Sequence, residues 1–408
     1  MGKMKMKNSL LVIVISTLII ASSCGLSEGK IVNNNDEINM NNPIAAELPS
    51  VFVLKDDYYL YPGQYNNVLQ IAEFDNPSNI TTVAYYPTHQ SSIIINLHVE
   101  DNLLIMTTVL NKEIGLEIVN ITNILYPTYL GHYIANTSNG YEYMGTHEAS
   151  RYEVQKQNDF CYLLANGVHH VNNDTIRIID CSDLENLIES ARYAPEFYSI
   201  NDFAVKNEFL YVLSGDKQKI DIVNITDKSN PKKIKTWITN EKCYGIEFYQ
   251  DYMFIYSDFN IIRMYNIIDP LSPVLINSYS RFTTEYDPFH DLVFWKHYFA
   301  GITIDFIFVY DINNLTSNQS ISAFECLDEG YGDFLVGLYS KDLLYVLRAS
   351  EHEERTLFVF DVSDVTSIIK IYPEGVADKI PLPSYVYITS FLATCVIIQR
   401  IKARKSKK

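Results

Sequence analysis

The chain has 408 residues, of which 47% are hydrophobic and 20% charged, enough apolar sequence to bury a large core. With 32 Lys and Arg against 49 Asp and Glu, its net charge is −17. This balance excludes phosphate binding as the main function, because nucleic-acid affinity rests on clustered positive charge. The 31 Tyr and 20 Phe, beside only 16 Gly and 14 Pro, also exclude collagen-like and disordered classes.

Residues 1–23 have the order of a secretory signal peptide. Three lysines precede an apolar run at 10–21, which is too short to span a bilayer, and two serines follow it. Cys24 then stands where a lipoprotein signal carries its lipidated cysteine, although the usual Leu at the third position before it is missing. Lipidation of Cys24 and an ordinary signal with an incidental cysteine are both open. Residues 24–48 form an Asn-rich linker.

The other end of the chain predicts a single membrane anchor. Residues 380–399 carry no charge and match the hydrocarbon thickness as a helix, with Tyr385 and Tyr387 at its outer edge. Six cations follow within the tail 400–408, which places the tail in the cytoplasm by the positive-inside rule. A buried core helix is the alternative for 380–399. The rest of the chain is predicted to lie on the extracytoplasmic side of the cell membrane, joined by a linker at 373–379.

The part of the chain that is predicted to be exported is more acidic than the whole chain, because the two ends are basic. They carry nine basic and no acidic residues, which leaves 23 basic against 49 acidic ones between them, a net charge of −26. An acidic exterior favours solubility and can attract cations or basic partners.

Residues 49–372 contain a pattern that repeats seven times. Each copy has an apolar strand ending in a polar residue, followed by one apolar residue and a polar turn, as in KIDIVNITDKSNP. The polar residues that end these strands, the repeat anchors, are Glu73, Asn120, Asp180, Asn224, Asn266, Asp311 and Asp361. Their period is near 45 residues, with one long insertion before the third unit.

A second element precedes each anchor and defines the unit. Segments such as KDDYYLY and KNEFLYVLS begin with a polar pair suited to a hairpin turn and continue as an alternating strand. With one short strand before and one after, each unit has four strands. Four strands in about 45 residues, repeated seven times, predict an all-β chain folded as a seven-bladed β-propeller of antiparallel blades.

The repeats LEIVNIT, IDIVNITDKSNP and LFVFDVSD resemble those of the LVIVD-repeat proteins. The resemblance covers about 320 residues and implies an exported or surface propeller of largely unassigned function. Glu73 in the first unit and Ile268 in the fifth depart from the pattern, which puts the details of those two turns in doubt. The family brings no catalytic motif to transfer.

The anchors are interpreted as structural, because a short polar side chain at a strand end can bond the following amides and a reaction needs one site rather than seven. No cofactor is predicted. A Ca²⁺ ion stays open, since it needs several oxygens converging in one loop and Asp361, Ser363 and Asp364 are the densest set, although they lack the Gly and the distant Glu of a dedicated loop.

Export makes Asn-X-Ser/Thr sequons eligible for glycosylation, and Asn136, Asn314 and Asn318 are the best candidates because they lie in loop-like stretches. Cys161 and Cys181 fall on adjacent strands of one unit, so a disulfide and a pair of buried free thiols are both open. No Cys or His spacing indicates a metal site. His169 and His170 are interpreted as loop residues, and no catalytic motif is present.

The prediction is therefore a membrane-anchored cell-surface propeller that binds a protein or a glycan, or acts in adhesion. The insertion 136–151, which contains Tyr141, Tyr143, His147 and Arg151, is a candidate recognition loop, with an ordinary decorated loop as its alternative. Two other functions stay open. One is an enzyme, a hydrolase or lyase with a metal in the central channel, and the other is a structural envelope component.

Overall fold

A computed structural model describes residues 52–372, except for 64–66, 77–78, 111–112, 136–152, 166–173, 198, 215–217, 240, 258–260, 281–288, 304–305, 316, 326–331 and 351–354. The seven-bladed propeller is confirmed: the described strands form seven four-stranded antiparallel sheets, each made of four consecutive strands. The predicted signal peptide, Cys24 and residues 380–399 lie outside the described residues. Within them, no helix is both long and apolar enough to cross a membrane.

The strands of the first four blades have the following bounds. Blade 1 contains β1 (Val53–Lys55), β2 (Tyr58–Pro62), β3 (Val68–Asn76) and β4 (Asn79–Pro87). Blade 2 contains β5 (Ile93–Glu100), β6 (Leu103–Leu110), β7 (Glu113–Asn120) and β8 (Thr128–Ile134). Blade 3 contains β9 (Val154–Gln157), β10 (Phe160–Ala165), β11 (Thr175–Asp180) and β12 (Ile188–Tyr193). Blade 4 contains β13 (Asp202–Lys206), β14 (Phe209–Ser214), β15 (Lys219–Asn224) and β16 (Lys232–Ile238).

The last three blades follow the same order. Blade 5 contains β17 (Cys243–Tyr249), β18 (Tyr252–Ser257), β19 (Ile261–Asn266) and β20 (Val274–Ser280). Blade 6 contains β21 (Asp291–Trp295), β22 (Tyr298–Ile302), β23 (Phe306–Asp311) and β24 (Ser322–Glu325). Blade 7 contains β25 (Gly332–Ser340), β26 (Leu343–Ser350), β27 (Arg355–Asp361) and β28 (Ile369–Tyr372). A 3₁₀ turn (His89–Ser91) joins blades 1 and 2.

The core lies between the blades rather than inside any one of them. Seven apolar clusters each combine residues of two neighbouring blades, because the second and third strands are apolar on both faces. In β15, for example, Ile222 packs toward blade 5 while Val223 packs toward blade 3. This two-sided burial is what the continuous apolar runs of the repeat predict.

Packing of side chains closes the ring between blades 7 and 1. The first strands of successive blades contact one another all the way round, including β25 with β1. They therefore form the inner wall of the propeller. Phe52 and Tyr59 pack against Tyr345 and Leu357, and the rings of Tyr59 and Tyr345 meet edge to face with centroids 5.7 Å apart. No strand is exchanged at this joint among the described strands, since each sheet uses four consecutive ones.

Candidate functional site

One end of the propeller carries the hairpin turns between the first and second strands of all seven blades, and we call it the turn face. The first and second strands of every blade are joined by a two-residue turn whose first residue has a φ between 52° and 57°. These residues are Asp56, Asp101, Asn158, Asn207, Gln250, Lys296 and Lys341. These φ values lie in the left-handed region of backbone conformation. A two-residue turn in this conformation has a twist that matches the twist of the strands on either side. The polar pairs in the sequence therefore mark these turns.

The turns between the third and fourth strands lie at the same end and are closed by the repeat anchors. In six blades the Oδ1 atom of the anchor accepts a hydrogen bond from the backbone N–H two residues later, at 2.8–2.9 Å. These six are Asn120, Asp180, Asn224, Asn266, Asp311 and Asp361. In five blades a second Asn or Asp, three residues after the anchor, repeats the same bond.

The two units that depart from the sequence pattern behave differently. Glu73 does not end its strand, because β3 continues to Asn76 and pairs Glu73 with Tyr58 and Thr81, so its assignment as a turn anchor is corrected. Ile268 leaves the fifth turn intact, since its backbone N–H still bonds Asn266 at 2.9 Å while its side chain is 78% exposed. The bond uses the main chain, so the side chain at that position matters little.

The turn face is acidic. The seven two-residue turns contain seven Asp or Glu and two Lys, and the turns that follow the third strands add further carboxylates such as Asp183, Asp227 and Asp364. Hydrogen bonds from the hydroxyl and amide of Ser363 lower the pKa of Asp361, and Thr366 does the same for Asp364. Such bonds favour the charged form, so the carboxylates keep their charge in mildly acidic solution.

Neighbouring hairpins of the turn face are linked to each other. The Lys156 ammonium lies 2.7 Å from a carboxylate oxygen of Glu100, and Lys206 donates to the Gln250 carbonyl oxygen at 2.8 Å. The other three links join Tyr249 to the Lys296 carbonyl, Lys296 to Asp342, and Lys341 to Asp57. The last of these crosses the joint between blades 7 and 1. The links join the hairpins of blades 4, 5, 6, 7 and 1 in one series and those of blades 2 and 3 in a second.

Strand direction places the start of β1 and the end of β28 at the opposite end, which we call the loop face. Antiparallel strands alternate in direction, so the first strand of each blade runs toward the turn face and the fourth runs away from it. The chain therefore enters β1 at Val53 and leaves β28 at Tyr372 on the loop face. The loops between second and third strands, and those between blades, also lie on this face. The predicted recognition loop 136–151 and His169 and His170 lie outside the described residues.

The inner wall contains a pair of acidic side chains. Burial and the neighbouring Asp202 carboxylate raise the pKa of Glu153, whose protonated form bonds Asp202, and Glu247 adds further repulsion. Asp202 is 1% exposed and accepts the N–H of Phe203 at 2.9 Å and that of Ile246 at 2.8 Å. The second bond ties blade 4 to blade 5. Among the described residues, no three His, Cys, Asp or Glu side chains are grouped so as to hold a metal ion.

Polar residues in the third strands form contacts between blades that sequence reasoning missed. Three residues before the anchor stand Glu117, Arg177 and Asp221, each at most 2% exposed. A tyrosine from the last strand of the preceding blade reaches each of them. Tyr86 donates to Glu117 at 2.6 Å and Tyr193 to Asp221 at 2.7 Å, while Arg177 donates to the Tyr133 hydroxyl at 3.1 Å. The only sequence signal is a charge inside an apolar strand, which does not identify its partner.

Cys161 and Cys181 are free, buried thiols in the structure, which corresponds to the second of the two alternatives open from sequence. Cys161 lies in β10 and Cys181 directly follows β11, diagonally opposite it. A hydrogen bond between the two thiols raises the pKa of Cys161 and lowers that of Cys181. Asn314 and Asn318 are exposed on the connection between β23 and β24. Asn136 lies outside the described residues, so its candidacy for glycosylation stays a prediction.

Comparisons with known proteins support the fold and no family. No protein-family model matches the chain, and neither does any curated protein. A functionally unknown protein from Desulfotomaculum acetoxidans matches with a TM-score of 0.58 and 10% identity, over 78% of this chain and 96% of that one. The β-propeller domain of Myceliophteria thermophila Cps50 (Swd1) matches with a TM-score of 0.52 and 10% identity, over 75% and 93% of the two chains.

Sqt1 of Saccharomyces cerevisiae matches with a TM-score of 0.52 and 8% identity, over 79% of this chain and 85% of that one. At such identities the similarity shows the fold alone. The β-propeller is commonly a protein-interaction module. The resemblance to LVIVD-repeat proteins stays a prediction.

Proposed function

We propose that this chain is a membrane-anchored cell-surface propeller that binds a partner protein on its turn face. The observation that carries the proposal is the direction of the strands. β1 starts and β28 ends on the loop face, so an anchor at 380–399, or a lipid on Cys24, would hold that face toward the membrane. The turn face then points outward.

The chemistry of the turn face favours a basic protein partner. Its acidic side chains are held on short, linked turns, so little conformational entropy is lost when a partner binds. Complementary charge also accelerates encounter and selects among partners. A glycan partner is the alternative kept from the sequence, and adhesion follows if the partner belongs to another cell.

The anchor is tested with the full chain and three variants. Deleting 380–408 should release the protein from washed membranes, whereas Cys24→Ser should leave it bound. Release by Cys24→Ser alone would instead show that a lipid on Cys24 anchors the protein. An intact-mass measurement of the wild-type protein detects that lipid as added mass. If the protein remains bound to membranes when both changes are combined, the proposed anchoring through 380–399 or Cys24 is wrong.

Binding is tested with a photo-crosslinking residue placed on either face of the full chain in native membranes. A probe at Asp101 on the turn face should capture a partner protein, and a probe at Lys219 on the loop face should not. The double change Glu185→Lys and Glu208→Lys should abolish capture, because both exposed carboxylates belong to the turn face. The matched control Glu113→Lys and Glu196→Lys alters the same charge on the loop face and should preserve capture.

Three outcomes contradict the proposal. If the probes on both faces capture a partner equally well, or if neither captures one, the turn face is not the binding surface. Capture that disappears after enzymatic removal of glycans from the membranes identifies a glycan partner in place of a protein.

A second candidate function is an enzyme with its site in the central channel, and the Glu153–Asp202 pair favours it. Two carboxyl groups that share a proton are an arrangement used in acid–base hydrolysis. The pair lies on the inner wall, where several blades can contribute to one site. Hydrolysis of a panel of esters and glycosides by the full chain, abolished by Glu153→Gln, would support this function over binding.

A further inference from the structure

The turn between the third and fourth strands of blade 5 exposes a group of large apolar side chains. Ile268 is 78% exposed, and Val274 and Leu275, the first two residues of β20, are 58% and 50% exposed. Val274 lies directly opposite Asn266, which precedes Ile268 by two residues, so the three side chains belong to one turn. We call them the blade 5 patch. Single exposed apolar residues are ordinary on a protein surface, whereas a group of them is typical of a contact site.

The turn itself does not require an isoleucine at position 268. In blade 5 the turn uses only the backbone N–H of Ile268, which donates to Asn266. In the other five turns that an anchor closes in this way, the residue two positions after the anchor is polar: Thr122, Ser182, Thr226, Asn313 and Ser363. The exposed isoleucine is therefore a departure that the structure of the turn does not explain.

The turn that carries the patch is held in one conformation. Pro270 and Pro273 fix two of its φ angles. The Leu271 N–H donates to Asp269 Oδ1 at 3.0 Å, and the Ser272 N–H donates to the Asp269 carbonyl oxygen at 3.0 Å. Because the patch is formed in advance, little conformational entropy is lost when another molecule covers it.

The patch is continuous with the acidic hairpins of the turn face. The Ile267 N–H donates to the carbonyl oxygen of Asp251, in the hairpin of the same blade, at 3.1 Å. Both Asp251 and Asp269 are exposed. On the side of blade 4, the ammonium groups of Lys206 and Lys235 donate to carbonyl oxygens of blade 5 at 2.8 and 2.6 Å. Blade 5 itself therefore presents carboxylates beside the apolar side chains.

We propose that the blade 5 patch is the apolar contact of the protein that binds the turn face, and that this partner presents an apolar side chain next to a lysine or arginine. The inference rests on the proposed function and gives the partner a chemistry. The partner's apolar side chain covers Ile268, Val274 and Leu275, and its cation pairs with Asp251 or Asp269. Interfaces concentrate most of their affinity in a few well-packed residues, while complementary charge selects the partner.

The first test is a titration of the purified full chain with two peptides, one alternating Leu with Lys and the other alternating Leu with Glu. We expect the lysine peptide to bind more tightly, and Ile268→Ser to weaken its binding about tenfold. Serine occupies the same position in blades 3 and 7, so this variant retains the turn. Ile188→Ser changes an isoleucine of blade 3 that is 56% exposed, and this matched control should leave binding unchanged.

The peptide titration can overturn the proposal in two ways. Binding of the glutamate peptide as tight as that of the lysine peptide would refute the basic partner. Binding of the lysine peptide that is absent, or that Ile268→Ser and Ile188→Ser affect equally, would refute the patch.

A second test separates the patch from the turn face as a whole. Capture from the photo-crosslinking probe at Asp101 in native membranes should fall about tenfold when Ile268→Ser is added, and it should persist with Ile188→Ser. Unchanged capture with Ile268→Ser refutes the patch and leaves the turn face as the binding surface. If the Asp101 probe captures nothing, the proposed function fails, and the peptide titration alone decides whether the patch binds.

Two other occupants of the patch have their own readouts. Sedimentation of the purified full chain reports self-association, and flotation with vesicles of phosphatidylglycerol reports binding to an anionic lipid surface. If either occurs with the wild-type chain and is lost with Ile268→Ser but not with Ile188→Ser, a second copy or a membrane covers the patch, and the proposed partner is wrong.

Discussion

Lys341 in the last blade contacts Asp57 in the first, although the two residues are 284 positions apart in the chain. Both side chains are 63% exposed, so this ion pair contributes little to stability even though it spans the closing joint. The buried aromatic contact between Tyr59 and Tyr345 beneath it is expected to hold the joint. The two contributions can be separated by mutation.

Tyr345→Ala should lower the free energy of unfolding by about 3 kcal/mol or more, because it leaves a cavity between blades 7 and 1. Asp57→Asn should change it by less than about 1 kcal/mol, and salt should reduce that effect further. The exposed Tyr85→Ala is the matched control, with an expected change within about 0.5 kcal/mol. Chemical denaturation measures all three. Equal losses for Tyr345→Ala and Asp57→Asn would contradict this account of closure.

The raised pKa of Glu153 predicts a loss of stability as the pH rises. Below the pKa of the unfolded chain, about 4.3, the carboxyl is protonated in both states and carries no penalty. Above it the unfolded chain releases the proton while the folded chain retains it, so unfolding becomes more favourable until the folded pKa is passed. Glu153→Gln keeps a donor to Asp202 and should flatten this dependence and stabilise the protein at pH 7.

Thermal unfolding of wild type and Glu153→Gln between pH 4 and pH 8 provides the measurement. Glu185→Gln removes an exposed carboxyl that contacts neither Asp202 nor Glu247, and it gives the background for losing one charge. Parallel curves for wild type and Glu153→Gln would disprove the proton-sharing pair.

The anchors can be tested by exchanging the two residue types that the repeats use. Asp361→Asn should retain stability to within a few tenths of a kcal/mol, because an amide oxygen can accept the Ser363 N–H as in blades 2, 4 and 5. Asp361→Ala should cost about 1 kcal/mol, the usual value of one hydrogen bond. Denaturant midpoints measure both changes. A loss for Asn as large as that for Ala would show that the charge, not the acceptor, closes the turn.

Gly131→Ala should destabilise the joint between blades 2 and 3 by about 2 kcal/mol, a typical cost of overpacking. A Cβ atom there would lie 1.8 Å from the carbonyl oxygen of Leu184, which belongs to the main chain and cannot move aside alone. Gly63→Ala is the milder control, because its Cβ would meet the movable Gln70 amide at 2.9 Å. Calorimetric melting of both variants tests the difference, and equal melting temperatures would exclude a specific clash at Leu184.

The two thiols of blade 3 lead to a simple mass prediction. As buried free thiols, Cys161 and Cys181 should react with an alkylating reagent only after the chain unfolds. Mass spectrometry of native and denatured protein, labelled without reductant, distinguishes this state from a disulfide. Protection that persists in denaturant and disappears on reduction would establish the bridge instead.

The sequence predicts the fold because the features that define a blade are local. The hairpin pair at Asn207 and the anchor Asn224 lie within one unit and act on residues beside them, so a repeat of about 45 residues reveals both. The candidate Glu153–Asp202 pair and the contacts between blades involve residues that the chain separates. Tyr86 meets Glu117 across 31 positions, and Tyr193 meets Asp221 in the same way. The periodicity of the repeat predicts that neighbouring blades pack together. It does not predict which side chains contact each other at each joint.

The joint between blades 7 and 1 also has a mechanical consequence. Because every described sheet uses four consecutive strands, all seven joints are formed by side-chain contacts, and this joint differs from the other six in that its two blades are not consecutive in the chain. The chain enters blade 1 and leaves blade 7 on the same face, so a tension between the two ends acts directly across it. Under tension, the ring should therefore open first between blades 7 and 1, while the other six joints stay closed.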